Sequence, residues 1–483
     1  MPLPVITIAQ MRDWEKATWA SGQTESEVIR RVGKAVARQA LGLTRPGDLI
    51  LILAGRGHNG EDARCAREHL VERRVDVLEV KDPAADLEKL AALLSLGPAL
   101  IIDGLFGIGL DRPLGPEWVQ FIQRVNESGR KVLAVDVPSG LNADTGQPQG
   151  AGIRATVTLT VGAPKIGLLQ EPAWGWVGRL EVARNVGLSD APKVPGLQWS
   201  QPEDFGEFPS SRPVATHKGS YGHLAIVAGS LGFHGAAVLA ARGAQRAQPG
   251  LITLYTQESV YFVAAAQLQA VMVSPWQPFT KLPGHYNAIL LGPGLASPEV
   301  PDELKKAARQ LWRDATVPVI VDASALDWLP LDVAPKNALR VITPHPGEAA
   351  RLLGGNSQQV QANRLQALRN VSKRFANTWV VLKGHETLVG RSSGDVFVNC
   401  SGNPHLAQGG SGDVLSGYIA GLLAQPALAA NPFMALRYAV WQHGATADYL
   451  QAARSNWVIE DLAEALGEQR PTREVAAAGT VIS

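Results

Sequence analysis

Carboxylates, two lysines and clusters of glycine carry most of the chemistry this chain could perform. The densest group is Gly402-Asn403-Pro404-His405-Leu406-Ala407-Gln408-Gly409-Gly410-Ser411-Gly412-Asp413. Gly409, Gly410 and Gly412 bare the backbone just ahead of an apolar, helix-like run. Amides at a helix start, with the positive end of the helix dipole, form a ready anion site. Asp413 falls in the first turn, where a carboxylate can take a proton from a substrate hydroxyl. The same place suits an Asp that merely caps the helix. Four more turns follow strand-like runs: Gly229–Ala237, Leu291–Leu295, Thr343-Pro344-His345-Pro346-Gly347-Glu348 and Lys383-Gly384-His385-Glu386-Thr387. Lys383 can face phosphate as a point charge, or simply be a solvated lysine.

The first half offers a second set. His58-Asn59-Gly60-Glu61-Asp62 follows the apolar run Leu49–Ala54, Asp103 to Leu110 follows Ala99–Ile102, Asp136-Val137-Pro138-Ser139 follows Val132–Val135, and Lys165 follows Thr156–Val161. Asn59, Asp103 and Ser139 offer only oxygen ligands, which suits a hard cation. Asp136 and Lys165 could form an acid–base pair, each perturbing the other. Taken singly, each of these residues could equally cap a helix or a turn.

Positioning such groups needs strands that end at one edge. Both halves alternate short apolar runs with helical patterns, the signature of parallel, doubly wound sheets. Ligands sit beyond the carboxyl ends of such strands. In the second half, strands are expected at His223–Val227, Leu251–Tyr255, Ala288–Leu291, Pro318–Val321, Val341–Thr343 and Trp379–Leu382. Helices are expected at Gly235–Gln248, Gln361–Phe375, Asp413–Ala424 and Pro432–Leu450. In the first half a helix is expected at Asp62–Arg73. Between Gly187 and Thr216, Pro192, Pro195, Pro202, Pro209 and Pro213 punctuate polar residues and read as a linker. The expected domains are 1–210 and 211–483.

Composition narrows the class. At 483 residues the chain exceeds one core, so two to three domains are expected. A net charge of +1 gives no field to recruit nucleic acid or an anionic membrane. Cys65 and Cys400 cannot build a disulfide framework or a four-cysteine zinc site, and they fit a reducing cytoplasm. No signal peptide or membrane span is expected, nor is there a Gly-x-x-x-x-Gly-Lys-Ser/Thr loop.

In combination, Gly-Pro-Gly-Leu, Thr-Pro-His-Pro-Gly-Glu, Lys-Gly-x-x-Thr and Gly-Gly-Ser-Gly-Asp resemble the ADP/ATP-dependent NAD(P)H-hydrate dehydratases over about His217 to Leu466. The resemblance implies a ribokinase-like α/β fold. It implies dehydration of the S form of NADHX or NADPHX, with ADP giving AMP and phosphate. Ala236, Gly294, His345 and Asp413 would line the hydrate site, with Asp413 as general base. Lys383, Gly384, His385, Glu386, Thr387 and Gly412 would hold ADP or ATP, with Mg2+ on its phosphates. Departures are His385 for a small residue, His405-Leu406 for Gly-Met, and Asp322-Ala323-Ser324-Ala325-Leu326 for Asp-Ala-Asp-Ala-Leu.

The first half resembles the NAD(P)H-hydrate epimerases over about Ile8 to Val186, which implies a Rossmann-like doubly wound domain that interconverts the R and S hydrates. Asn59, Asp103 and Ser139 would hold K+. His58, Asn59, Gly60, Glu61, Asp62, Asp136 and the loop Gly107, Ile108, Gly109, Leu110, Asp111, Arg112, Pro113 would bind the hydrate. Asp136 and Lys165 would move protons. Here the family's Asn-Asn-Gly-Gly-Asp-Gly reads His58-Asn59-Gly60-Glu61-Asp62-Ala63, and Met-Glu-x-Ala-Gly reads Ile29-Arg30-Arg31-Val32-Gly33. Glu61 would repel a pyrophosphate unless it points away. The resemblance also implies a homo-oligomer whose partners are small molecules, the two hydrates and ADP. Two rival readings stand beside this one. One is a small-molecule kinase on the ribokinase-like fold. The other is a dehydratase whose first half is a non-catalytic binding or assembly module.

Overall fold

A computed structural model of the chain describes residues 3–277, 282, 284–331 and 338–471. It divides into two compact units, Leu3–Pro195 and the chain from Gly196 onward.

After a two-residue strand β1 (Leu3–Pro4), the first unit holds β2 (Leu49–Ala54), β3 (Arg74–Glu79), β4 (Leu100–Gly104), β5 (Lys131–Val135), β6 (Val157–Val161) and β7 (Arg179–Ala183). Strands β2 to β7 form one parallel sheet in the order β3-β2-β4-β5-β6-β7. β2 and β4 are buried along their whole length, which explains their unbroken apolar sequences. The chain leaves β2 toward β3 on one side and then returns to β4 on the other. The switch point therefore lies between β2 and β4, where ligand crevices open.

The second unit holds β8 (Leu197–Trp199), β9 (His223–Val227), β10 (Leu251–Thr256), β11 (Met272–Pro275), β12 (Ala288–Leu291), β13 (Val319–Val321), β14 (Arg340–Ile342), β15 (Trp379–Leu382), β16 (Leu388–Gly390) and β17 (Val396–Val398). Their order is β8-β17-β16-β15-β14-β13-β12-β9-β10-β11. The run from β15 to β11 is parallel, and β16 is antiparallel to both its neighbours. Its switch point lies between β9 and β12. The helices His234–Arg246, Ser411–Leu423 and Pro432–Ala453 pack a common apolar core against this sheet.

Three expectations shift. The division lies at Pro195/Gly196, ahead of 210/211, because residues read as linker belong to the second unit. β8 pairs in parallel with β17 (Leu197 opposite Val396, Trp199 opposite Val398), Phe205 is fully buried against Tyr438 and Trp441, and Asp204 pairs with Arg437. The helix expected at Asp62–Arg73 spans His58–Ala66, so the segment 58–62 is a helix start. The helix expected at Gln361–Phe375 is two helices, Ser357–Ala362 and Arg364–Arg374, broken at Asn363, whose side chain caps the second.

Among the described residues no helix is long and apolar enough to cross a membrane.

Candidate functional site

In the first unit, the loops after β2 and β4 and the helices Ile8–Ala20 and Glu25–Leu43 enclose a cavity of about 840 Å³. That volume suits a small-molecule or cofactor site, typically about 300–1,000 Å³. His58, Asn59, Asp62 and Asp136 line it, as does the whole stretch from Gly107 to Pro113. Gly60 and Glu61 are not among its lining residues. Glu61 lies half-buried in the helix's first turn and is not part of the cavity wall. Arg12, Arg56 and Arg112 also line the cavity and supply positive charge for an anionic ligand.

Asp136 follows β5 with φ +65°, a left-handed conformation strained for a side-chain-bearing residue. Such strain persists where surrounding bonds over-determine it. Its Oδ1 accepts from Lys165 Nζ (2.5 Å), Val161 N (3.0 Å) and Thr160 Oγ1 (3.2 Å). Lys165 is fully buried and also donates to Thr160 Oγ1 (3.0 Å) and Val161 O (2.8 Å). Its three protons are thus all engaged, and Lys165 does not line the cavity. The geometry places it behind Asp136.

Below the crevice floor, Asp103 accepts from Ser139 Oγ (2.6 Å) and Ser139 N (2.8 Å). Burial pushes its carboxyl up to about 6, against those hydrogen bonds. Asn59 Nδ2 donates to Phe106 O (2.8 Å), while Asn59 Oδ1 is buried with no hydrogen-bond partner. That orphaned amide oxygen, on a side chain that shares the Phe106 carbonyl with Ser139, is one a cation could satisfy. Among the described residues no group of three or more His, Cys, Asp or Glu could hold a metal ion. Any cation here would rely on Asn59, Asp103 and Ser139 together.

In the second unit, the loops after β9 and β12 meet at the switch point. Gly294 has φ +66°, and a Cβ there would lie 2.4 Å from Phe233 O and 2.9 Å from the Ala236 Cβ. Only glycine fits that approach. Ser230 Oγ donates to Gly294 O (2.7 Å) and fixes the two turns together. Ala236 and Gly294 are therefore neighbours.

A second cluster centres on Lys383, just beyond β15. Its Nζ lies 2.7 Å from Asp322 Oδ1 and 3.9 Å from Glu348 Oε2. Burial opposes its charge, but Asp322 and Glu348 outweigh this and hold its pKa above the ordinary value. Gly412 makes room for it, since a Cβ at 412 would sit 3.2 Å from Nζ. Asp413 is in the first turn of the helix Ser411–Leu423. Its carboxyl is pushed up to about 7, first by burial and then by Asp322 and Glu348, with Lys383 opposing. The helix start, the lysine and a carboxylate that titrates near neutrality are thus electrostatically joined.

His345 caps the helix Pro346–Leu353. Its Nδ1 accepts from Gly347 N (3.0 Å), and its own N–H donates to Glu348 Oε2 (2.8 Å). The ring is half-exposed, with Nε2 3.5 Å from Glu348 Oε1. His385 to Thr387 form the turn between β15 and β16, where Thr387 Oγ1 donates to Gly384 O (3.1 Å). Glu386 has φ +51°, and burial pushes its carboxyl up to about 8, with Arg364 opposing.

Sequence reasoning missed two supports. Arg364 donates to Leu382 O (3.2 Å), Lys383 O (3.3 Å) and His385 O, tying the whole turn to a neighbouring helix. His443 is buried on the helix Pro432–Ala453, with Nε2 3.1 Å from Ser411 O, and burial pushes its pKa down to about 4. It holds the start of the Asp413 helix as a neutral imidazole. Arg364 opens its helix and His443 sits inside another, both far in sequence from the segments they brace, so no local pattern flags them.

Comparison with known proteins agrees with both halves. The NAD(P)H-hydrate dehydratase family model matches residues 224–471, and the model for the YjeF-related protein N-terminus matches 78–167. The bifunctional NAD(P)H-hydrate repair enzyme Nnr of Gloeobacter violaceus is 35% identical over 508 aligned positions, covering 96% of this chain and 96% of its own. The enzyme of the same name from Escherichia coli is 32% identical, covering 89% of this chain and 86% of its own. Among solved structures, the ADP/ATP-dependent NAD(P)H-hydrate dehydratase of Bacillus subtilis, co-crystallised with ATP and Mg2+, is 31% identical with a TM-score of 0.51. It covers 56% of this chain and 96% of its own. With likeness running nearly end to end across both units, the chain belongs to the family of bifunctional NAD(P)H-hydrate repair enzymes.

Proposed function

We propose that this chain restores hydrated nicotinamide cofactors, the first unit interconverting R and S hydrates and the second dehydrating the S form with ADP or ATP. The observation that carries the reading is Asp413, a carboxylate at a helix start with a pKa near neutrality, coupled to the Lys383–Asp322 pair. A base works best with a pKa near the operating pH.

In this reading Asp413 draws the proton from the hydrate's hydroxyl as its oxygen attacks the terminal phosphoryl group. The helix-start amides at Gly412 and the Lys383 ammonium hold the phosphates. The phosphorylated oxygen then leaves as phosphate, the adjacent ring carbon gives up a proton, and the double bond returns. With ADP the products are AMP, phosphate and NAD(P)H. The residues Lys383 to Thr387 form the nucleotide's cradle, and Ala236, Gly294 and His345 border the hydrate. Magnesium would supply positive charge to the nucleotide's phosphates, as the Bacillus relative's co-crystal supports.

In the first unit, Asp136 meets the hydrate, with Lys165 holding its carboxylate in place from behind. The cavity's full lining by His58, Asn59, Asp62 and the 107–113 loop, with Glu61 outside it, favours a working epimerase over a bare assembly module. Asn59, Asp103 and Ser139 fit a potassium ion, which would neutralise Asp103 and fix the two loops. In this reading the chain acts on small molecules in the cytoplasm as a homo-oligomer, a state that light scattering would test.

The decisive experiment follows NADH formation from a mixture of R and S NADHX with ADP and magnesium. Full recovery by the wild type, lost in Asp413→Ala, is the expected result. Recovery that halts when S is exhausted would remove the epimerase half. No recovery with either nucleotide, or a stable phosphorylated product, would return the small-molecule kinase reading.

A further inference from the structure

We infer that Asp62 is a second proton-transferring residue of the first unit's cavity, acting with Asp136 on the hydrate's hydroxyl-bearing carbon. The inference rests on the epimerase reading above and adds a residue and a mechanism to it.

Hydration leaves a hydroxyl on the ring carbon next to the ring nitrogen, a hemiaminal. Inverting that carbon by ring opening needs two proton carriers, one for oxygen and one for nitrogen. Asp136 can be one. Lys165 cannot be the other, because it is fully buried, its three protons are bonded, and it does not line the cavity. A different side chain must face the ligand.

Asp62 meets that requirement by position. It lines the cavity together with Asp136, is only 9% exposed, and makes no hydrogen bond or ion pair with any described residue. A buried carboxyl without a protein partner is costly as an anion. It is favoured as a neutral acid, or bonded to what fills the cavity. Burial pushes its pKa well up, and four acids add to this: Asp136 after β5, Glu61 on its own helix, Glu15 on the helix Ile8–Ala20 and Glu25 on the helix Glu25–Leu43. The cavity's arginines, Arg12, Arg56 and Arg112, make no ion pair with it. Asp136, by contrast, is held against an ammonium. Two carboxyls in one cavity with opposite environments divide into an acid and a base.

The step balances without a co-reactant. Asp136 takes the hydroxyl proton, the carbon–nitrogen bond breaks toward nitrogen, and nitrogen takes the Asp62 proton. A carbonyl and a ring-opened amine result. The carbonyl presents its other face, nitrogen adds back, and both protons return to their owners. Substrate and enzyme are restored, with one centre inverted.

The test uses the full chain and pure R-NADHX with ADP and magnesium, corrected for spontaneous interconversion. Asp62→Asn keeps shape and hydrogen bonding but carries no transferable proton. Its R-to-S turnover should fall at least ~100-fold, the usual scale of acid–base catalysis. Dehydration of pure S-NADHX, which takes place in the second unit, should be unchanged. Asp62→Glu should recover part of the turnover and guards against a folding defect in the Asn variant. Wild-type turnover in Asp62→Asn, or a loss confined to KM, would overturn the role while leaving the epimerase reading intact. Failure of the wild type to convert the R form would overturn that reading instead, and this role with it.

Discussion

Asp413 ties activity and stability to pH in opposite directions. As a base it must be ionised, and its carboxyl titrates near 7. Dehydration of the S hydrate should therefore rise with pH up to and through that value, and Asp413→Asn should abolish both the activity and this limb. Stability runs the other way. The folded state binds this proton more tightly than the unfolded chain, so between about pH 4 and 7 the native state loses stability as pH rises. Below that window both states are protonated and the group is silent. Asp413→Asn should accordingly melt higher than the wild type above pH ~7 and about equally near pH ~4, by thermal unfolding. Asp413 was legible because glycine and Asp at a helix start announce a site. Asp136 was legible because it follows an apolar strand. What the sequence could not reveal was that Lys165 stands behind Asp136, since that depends on which way a buried side chain turns.

At the scale of elements, the Asp413 helix is held by close contact with the helix His234–Arg246. A Cβ on Gly417 would lie 1.9 Å from Ala240 O, and one on Gly243 2.2 Å from Val414 O. Gly417→Ala must push the two helices apart. Overpacking of this kind costs about 1–3 kcal/mol, to be read from denaturant unfolding. It should also weaken ADP binding, because the helix start and Ala236 move with their helices. Most of this frame could be read from alternating apolar runs and glycine turns. β8 could not, because Leu197–Trp199 is three residues among prolines and becomes a strand only by pairing with β17, some 200 residues away. Long-range pairing overrides local composition there. The helix start at His58 was hidden for a related reason, since Gly57 and Gly60 read as a loop until the chain is folded.

For the molecule as a whole, two sites in separate units imply separable lesions. Asp136→Asn should consume S hydrate and stall on R, whereas Asp413→Asn should form no NADH but still equilibrate R and S. Mixing the two variants should restore full recovery, because the S hydrate made by one can diffuse to the other; a mixture that stays stalled would show that the hydrate must pass within one chain. The first cavity also has a chemical character beyond its shape. Its positive side chains are arginines, and no lysine or cysteine is among its lining residues. A ring-opened hydrate carries an aldehyde, the kind of group that primary amines capture as imines and thiols as hemithioacetals. With Lys165 locked behind Asp136, the pocket can release a reactive carbonyl repeatedly without being modified by it.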